Sequence, residues 1–232
     1  MKSVLITGGT VRLGKAIASR LMAEGWRVIT SSHRADAGAD IVADLAEPMG
    51  AAKLYAAAIQ LLGGNPPDAL VNNAALFVGD AAAIAAVNLE APKKLTMLMA
   101  GRETGVGAVV NILDSVILGF LGSVGSRGLT LSDFKDSKDP KSPYLASKRE
   151  LLAFTKTAAA MFAATLRVNG VAPGPVMAPT DVHEKAGEML LDRRPVPDDV
   201  AAAVSYLLGA EATTGCVIPV DAGQHLLGAR RD

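Results

Sequence analysis

The sequence has little of several features that mark specialised proteins. Cysteine occurs once among 232 residues, as Cys216, so no internal disulfide can form and a reducing compartment is expected. No apolar run approaches the roughly 20 residues that span a bilayer. Met1 and Lys2 lead directly into a strand-like run, without the cleavage site of a signal peptide. The sequence therefore predicts a cytoplasmic protein with no membrane partner.

An excess of charge of one sign is also missing. The 23 basic and 23 acidic residues cancel, and no long basic run is present, which argues against a nucleic-acid partner. No cluster of His, Cys and Asp has the spacing of metal ligands, so no metal is predicted. Half of the residues are apolar, enough for the core of one large domain over residues 1–232.

Short apolar runs alternate with helix-like segments along the whole chain. The predicted strands are KSVLIT, WRVITSS, DIVADL, DALVNN, GAVVNILD, LRVNGVAP and CVIPVD. The predicted helices cover residues 14–24, 48–62, 80–100, 143–164 and 197–208. This alternation predicts an α/β fold, a single Rossmann-like doubly wound parallel sheet with helices on both faces.

Two segments depart from the alternation. Only about ten residues separate VITSS from DIVADL, too few for a crossover helix, so a bare loop is predicted there. Residues 116–143 become rich in Gly, Ser, Asp, Lys and Pro, which predicts a long loop excursion. A surface loop, an active-site lid and an interface arm remain alternatives for it.

The stretch TGGTVRLG, from Thr7 to Gly14, follows the first predicted strand and opens a helix. Gly8 and Gly14 permit close approach of the backbone, and the unpaired N–H groups of a helix start favour an anion. A dinucleotide phosphate loop is predicted. Arg12 stands where the second of three spaced glycines is expected.

The end of the second strand indicates which dinucleotide binds. An NAD site has a carboxylate about 18 residues beyond the last loop glycine, where it binds the ribose 2′-hydroxyl. This sequence has Ser31-Ser32-His33-Arg34 instead. A hydroxyl beside a guanidinium suits a 2′-phosphate, which favours NADPH as the cofactor. The alternative is a solvated arginine in a loop.

Tyr144 and Lys148, in YLASK, are four residues apart and so share one face of a helix. A tyrosine with a pKa of about 10 is a poor acid or base at neutral pH, and a neighbouring ammonium is expected to lower that pKa. The pair therefore predicts a proton shuttle. An exposed helix face is the alternative.

Together these motifs resemble the short-chain dehydrogenase/reductase family. The resemblance extends to the stretches NNAA (72–75), VNLEAP (87–92), VVNILD, RVNGVAPGPV (167–176) and TGCVIPVDAG (214–223). It implies that Asn88, Tyr144 and Lys148 belong to a catalytic tetrad. The fourth member is normally serine, but Asp114 occupies the matching position, with Ser115 as a possible substitute. The resemblance also implies a homodimer or homotetramer.

One branch of that family, the pteridine and dihydromonapterin reductases, is similar at the four unusual positions Arg12, His33-Arg34, Asp114 and Phe77. The similarity implies reduction of a dihydropterin by NADPH. Phe77 would stack on the pterin, Arg12 would bridge the cofactor phosphates and the pterin, and Asp114 with Tyr144 would protonate a ring nitrogen. The alternatives are that Phe77 fills the core and that Arg12 binds phosphate alone.

The chain departs from that branch at Ala75, where a serine is common, and in two spacings. The Asn73–Asn88 stretch is short and the Asp114–Tyr144 gap is long. A reductase of ketones that uses Ser115 or Tyr144 alone, and a catalytically silent NADPH sensor or scaffold, are therefore kept as alternatives.

The predicted site residues fall into three groups. The catalytic group is Asp114, Tyr144, Lys148 and Asn88, and the substrate group is Arg12, Phe77, Asp114 and Tyr144. The cofactor-binding group is Gly8, Thr10, Arg12, Leu13, Gly14, Ser32, His33, Arg34, Asp44, Leu45, Asn73, Ala74, Lys148, Pro173 and Gly174.

Overall fold

The computed structural model describes residues 1–103, 105–118, 142–177 and 188–229. Within these ranges, seven parallel strands form one sheet in the order β3-β2-β1-β4-β5-β6-β7. The strands are β1 (Ser3–Thr7), β2 (Arg27–Ser32), β3 (Ile41–Val42), β4 (Ala69–Asn72), β5 (Gly107–Ile112), β6 (Leu166–Pro173) and β7 (Val217–Val220). The order reverses between β1 and β4, where open α/β sheets bind their ligands.

Helices cover both faces of this sheet. They are α1 (Arg12–Ala23), α2 (Gly50–Leu61), α3 (Ala81–Ala85), α4 (Ala91–Ala100), α5 (Ser142–Met161) and α6 (Pro197–Gly209). A π-helical turn, Ala86–Glu90, joins α3 to α4, and the 3₁₀ turns are Ala35–Ala37 and Gln224–Ala229. The predicted doubly wound α/β architecture is confirmed.

Alternate residues of each central strand supply the two layers of the core. On β1, Val4 and Ile6 pack in the cluster that contains residues of α1 and α6. Leu5 packs in the opposite cluster, with residues of α2 and α4. All three side chains are fully buried. Burial on both faces explains why the strand is a continuous apolar run and not an alternating one.

The connection between β2 and β3 contains only the turn Ala35–Ala37, so the predicted loop without a crossover helix is confirmed. The predicted strand DIVADL shortens to two residues because polar side chains end it on either side. Asp40 accepts hydrogen bonds from the backbone N–H and hydroxyl of Thr30, at 2.7 and 2.8 Å. Asp44 accepts one from the N–H of Ala46 at 2.8 Å.

The predicted loop excursion, at about 116–143, overlaps helical residues at both of its ends. Residues 116–118 form a helical turn, and Ile117 is buried in a cluster with Leu113 and Leu151. At the other end, α5 already begins at Ser142. Ile117 and Leu118 therefore belong to the packed core and not to the loop. The rest of the prediction, 119–141, lies outside the described residues.

Among the helices of the described ranges, none combines the length and apolar character that a bilayer span requires.

Candidate active site

The carboxyl ends of the strands open into one cavity of about 1400 Å³. Every predicted site residue except Asn88 lines it. Those residues are Gly8, Thr10, Arg12, Leu13, Gly14, Ser32, His33, Arg34, Asp44, Leu45, Asn73, Ala74, Phe77, Asp114, Tyr144, Lys148, Pro173 and Gly174. The parallel sheet explains this convergence, because all of its strands end at the same edge.

The glycine loop is closed tightly against the end of β4. A Cβ on Gly14 would lie 2.0 Å from the carbonyl oxygen of Gly8, so no other residue fits without movement. The Asn73 amide donates to the carbonyls of Thr7 and Gly8, at 2.9 and 3.0 Å. The residue before α1, Val11, supplies no side-chain cap, and the first turn contains no acidic residue. The helix start can therefore accept an anion.

Arg12 adopts a backbone conformation that normally belongs to glycine, with φ of 49°. This value explains why a glycine is expected at its position. A non-glycine residue in the left-handed region costs on the order of 1 kcal/mol or more, and such strain concentrates at functional sites. The arginine side chain lines the cavity.

The predicted 2′-phosphate site contains a residue that the sequence analysis missed. Arg34 donates from Nε and Nη2 to the two carboxylate oxygens of Asp36, at 3.0 and 2.8 Å. The Arg34 backbone N–H donates to the hydroxyl of Ser32 at 3.1 Å. Asp36 lines the cavity beside Arg34. The sequence shows that Asp36 is close to Arg34 along the chain, but their pairing depends on the 3₁₀ turn.

Tyr144 and Asp114 are joined by a hydrogen bond, in which the phenol donates to Asp114 Oδ2 over 2.9 Å. The other carboxylate oxygen, Oδ1, accepts from the N–H of Val116 at 2.9 Å. Both oxygens are thus oriented by the protein. Tyr144 is 9% exposed and Asp114 is half-buried, and both residues line the cavity.

The expectation that Lys148 lowers the pKa of Tyr144 is wrong. Burial raises the pKa of Tyr144 well above its ordinary value, and the Asp114 carboxylate raises it further. Lys148 is itself buried, which lowers its pKa to about 8. Its ammonium donates to the carbonyl of Ile112 at 2.7 Å and lies 5.7 Å from the centre of the Tyr144 ring. Burial of the phenol and the Asp114 carboxylate therefore set the direction of the pKa shift.

Phe77 lies against the tyrosine and not in the core. Its ring centre is 4.9 Å from that of Tyr144, at an interplanar angle of 62°. Phe77 is half-buried and lines the cavity, whereas Leu76 packs into a core cluster. The alternative that Phe77 fills the core is therefore wrong.

Asn88 is buried in the π-helical turn behind the cavity wall. Its side-chain oxygen accepts from the N–H of Leu76 at 2.7 Å, and its amide donates to the Leu76 carbonyl at 2.9 Å and to the Ser147 hydroxyl at 3.2 Å. The side chain thus holds the backbone beside Phe77. The family resemblance predicted a catalytic position for Asn88, but the side chain does not line the cavity.

Ser115, the alternative to Asp114, points away from the cavity. It is 1% exposed, and within the described ranges its hydroxyl has no hydrogen-bonding partner. A Cβ on Gly174 would lie 3.3 Å from that hydroxyl, beside Asp221. The backbone of Ser115 pairs with the Pro173 carbonyl, which fixes this orientation.

Two further polar cavity residues were not predicted from the sequence, Arg194 and Gln224. Arg194 donates from Nε to the carbonyl of Pro175. Both residues lie far along the chain from the recognised motifs, and no spacing rule places them. Within the described residues, no group of His, Cys, Asp and Glu could hold a metal ion.

Comparison with known proteins gives consistent matches over nearly the whole chain. A family model described as enoyl-(acyl carrier protein) reductase matches residues 11–225. The "Granaticin polyketide synthase putative ketoacyl reductase 2" of Streptomyces violaceoruber is 31% identical over 257 residues, with 96% of each chain covered. The NADP-dependent (R)-specific alcohol dehydrogenase of Lentilactobacillus kefiri is 29% identical, again with 96% of each covered.

A solved structure gives a similar match. The FolM alternative dihydrofolate reductase 1 from Brucella canis, complexed with NADP, superposes with a TM-score of 0.77 at 30% identity. The match covers 97% of this chain and 94% of that one.

Proposed function

The chain belongs to the short-chain dehydrogenase/reductase family, and from this membership we propose that it is an NADPH-dependent reductase of a dihydropterin or a related nitrogen heterocycle. The observation that carries the proposal is the Asp114–Tyr144 hydrogen bond. A carboxylate in this position can relay a proton from the tyrosine hydroxyl to a ring nitrogen. An ionised carboxylate could not stabilise the oxyanion of a ketone.

The cavity fits the proposed cofactor. The loop from Gly8 to Gly14 and the start of α1 would hold the diphosphate, and Ser32, His33 and Arg34 would hold the 2′-phosphate. Asp44 would lie at the adenine. When bound, NADPH supplies the hydride. The NADP-dependent alcohol dehydrogenase and the NADP complex of the dihydrofolate reductase support this assignment.

Side chains of the protein then supply the proton that the reduction needs. At neutral pH, Tyr144 keeps its proton, since burial and Asp114 raise its pKa. As the substrate ring accepts hydride, the Tyr144 hydroxyl gives its proton to the Asp114 carboxylate along their hydrogen bond, and the carboxylate passes a proton on to the ring nitrogen. Asp114 ends as a carboxylate and Tyr144 as a phenolate. The Lys148 ammonium, 5.7 Å from the ring centre, offsets the negative charge left on the phenol.

The walls would orient a flat heterocycle. Phe77 offers an aromatic ring beside Tyr144. Asn88 holds the loop that contains Phe77, through its two hydrogen bonds to the Leu76 backbone. Arg12 would donate to the cofactor phosphates and to the polar edge of the heterocycle. The FolM dihydrofolate reductase match supports this substrate class.

A second candidate function, the reduction of a ketone, is favoured by the likeness to the Streptomyces ketoacyl reductase. Tyr144 alone would then protonate the carbonyl oxygen, because Ser115 faces away from the cavity. In that case the Asp114 carboxylate would oppose the charge that develops on the oxygen.

The test is NADPH oxidation by the purified protein, measured side by side on dihydropterins, dihydrofolate, quinones and a ketone panel. We expect turnover of a dihydropterin or dihydrofolate. Turnover of ketones alone would replace the proposal with the second candidate.

Variants test the assigned roles. Phe77→Ala and Asp114→Ala should each abolish heterocycle reduction while NADPH still binds. Ser115→Ala is the control and should keep its activity. Undiminished heterocycle turnover in both of the first two variants would overturn the mechanism.

A further inference from the structure

The guanidinium of Arg34 is already engaged by a carboxylate of the same loop. Asp36 receives two parallel hydrogen bonds from it, at 3.0 and 2.8 Å. Both side chains are exposed, at 62% and 71%, so the pair is held by local geometry and not by burial. Two-point pairing of this kind is the strong form of an arginine–carboxylate contact.

The short turn after β2 produces the contact. Arg34 precedes the 3₁₀ turn Ala35–Ala37, and Gly38 ends it in the left-handed conformation with φ of 65°. The Arg34 backbone N–H is meanwhile held by the Ser32 hydroxyl at 3.1 Å. Asp36 is thereby placed beside the arginine, and both residues line the cavity.

We propose that Asp36 competes with the 2′-phosphate of NADPH for Arg34. It thereby reduces the factor by which the site binds NADPH more tightly than NADH. This inference rests on the proposed function, which makes Arg34 a phosphate ligand. The carboxylate holds two of the guanidinium donors that a phosphate would use. A phosphate must displace it or share the arginine with it.

Charge strengthens the competition. A phosphate monoester carries nearly two negative charges at neutral pH, so a neighbouring carboxylate repels it. NADH has a 2′-hydroxyl instead, and a carboxylate accepts a hydrogen bond from such a hydroxyl. The same residue therefore opposes one cofactor and can bind the other.

The test measures dissociation constants of NADPH, NADH and adenosine 2′,5′-bisphosphate by calorimetry for the wild type and Asp36→Asn. The substitution keeps the shape and removes the charge. We expect NADPH and the bisphosphate to bind about three- to tenfold more tightly to Asp36→Asn than to the wild type, because an exposed ion pair no longer has to be broken and the repulsion of the phosphate is lost. NADH should bind equally or less tightly.

Two controls isolate the cause. Glu211→Gln removes the same charge on the exposed surface outside the cavity and should leave all three affinities unchanged. In an Arg34→Ala background, Asp36→Asn should raise the affinity for NADPH by a smaller factor, because no guanidinium remains to be released. An equal gain in both backgrounds would overturn the competition.

The two proposals fail in different ways. A wild-type protein that binds no NADPH refutes the proposed function. A wild type that binds NADPH with the same affinity as Asp36→Asn refutes only the inference about Asp36.

Discussion

Tyr144 donates its phenolic hydrogen bond to Asp114 Oδ2 over 2.9 Å, while an N–H group holds the other carboxylate oxygen. The proton donor of the proposed reaction, Tyr144, and the carboxylate that relays its proton are therefore in contact before any ligand binds. Because burial and the Asp114 carboxylate raise the pKa of Tyr144, the hydroxyl stays protonated and can pass its proton through that carboxylate.

Replacing Asp114 with asparagine keeps the shape but removes the carboxylate that relays the proton. We expect kcat for the heterocycle to fall by about 10²- to 10⁴-fold, the usual contribution of a positioned proton-transfer group. NADPH affinity should change little. The pKa of Tyr144 should also fall, since one cause of its rise is removed. Steady-state kinetics and the near-ultraviolet absorbance of the phenolate measure the two effects; an unchanged kcat would remove Asp114 from the mechanism.

The rate should also fall as pH rises through about 8, the value to which burial lowers the pKa of Lys148. Above that pH the ammonium loses its proton and no longer offsets charge on Tyr144. Lys148→Arg keeps a permanent charge and should lack this decline, at a lower absolute rate. The measurement is kcat/KM against pH at constant ionic strength. The same decline in the arginine variant would assign it to another group.

The sequence predicted the parts of this molecule that depend on local pattern. Continuous apolar runs such as Val4-Leu5-Ile6 indicated strands buried on both faces, and the strand ends indicated where the site forms. The same pattern failed at Ile117-Leu118, because the polar stretch that follows hid the packing of these two residues with the core.

Electrostatic environments could not be predicted in this way. The four-residue spacing of Tyr144 and Lys148 indicated that they are neighbours, but not that both are buried or that the ammonium binds the Ile112 carbonyl. The sign of the tyrosine pKa shift depends on those facts. Asp36 was missed for a similar reason, since its pairing with Arg34 requires the turn geometry.

Gly14→Ala should disrupt the phosphate loop. The new Cβ would lie 2.0 Å from the Gly8 carbonyl oxygen, so backbone must move. We expect a loss of about 1–3 kcal/mol in the free energy of unfolding, as for other overpacked sites, and weaker NADPH binding. Gly209→Ala is the matched control, because no atom lies within 4 Å of the position that its Cβ would take and its φ is not positive. Urea denaturation measures the free energy of unfolding of the two variants, and calorimetry measures their affinity for NADPH. Equal stability of both variants would contradict the packing argument.

Two buried serines should respond differently to alanine. Ser115 has a hydroxyl without a partner among the described residues, so its removal should leave stability unchanged or slightly higher. Ser147 donates to the Tyr144 carbonyl at 2.6 Å and accepts from Asn88 at 3.2 Å. Its removal should cost about 1–3 kcal/mol, because it takes a hydrogen-bond acceptor from a buried amide. Thermal unfolding measures both, and a large loss for Ser115→Ala would reveal a hydroxyl that does bind.

Arg12→Gly separates backbone strain from side-chain function. Glycine adopts a φ of 49° freely, so relief of strain offsets the greater flexibility of the unfolded chain. We expect the free energy of unfolding to stay within about 1 kcal/mol of the wild type, while NADPH affinity and kcat/KM for the heterocycle each fall at least about tenfold, the loss of one or two charge-assisted hydrogen bonds.

Ala222→Gly is the matched control, because Ala222 has a φ of 54° but does not line the cavity. It should tolerate the change with full activity. If Arg12→Gly were as active as Ala222→Gly, the arginine would have no part in binding either ligand. A drop in both NADPH affinity and heterocycle turnover, confined to Arg12→Gly, would mean that the strained position is kept for its side chain, at the junction of the cofactor and substrate sites.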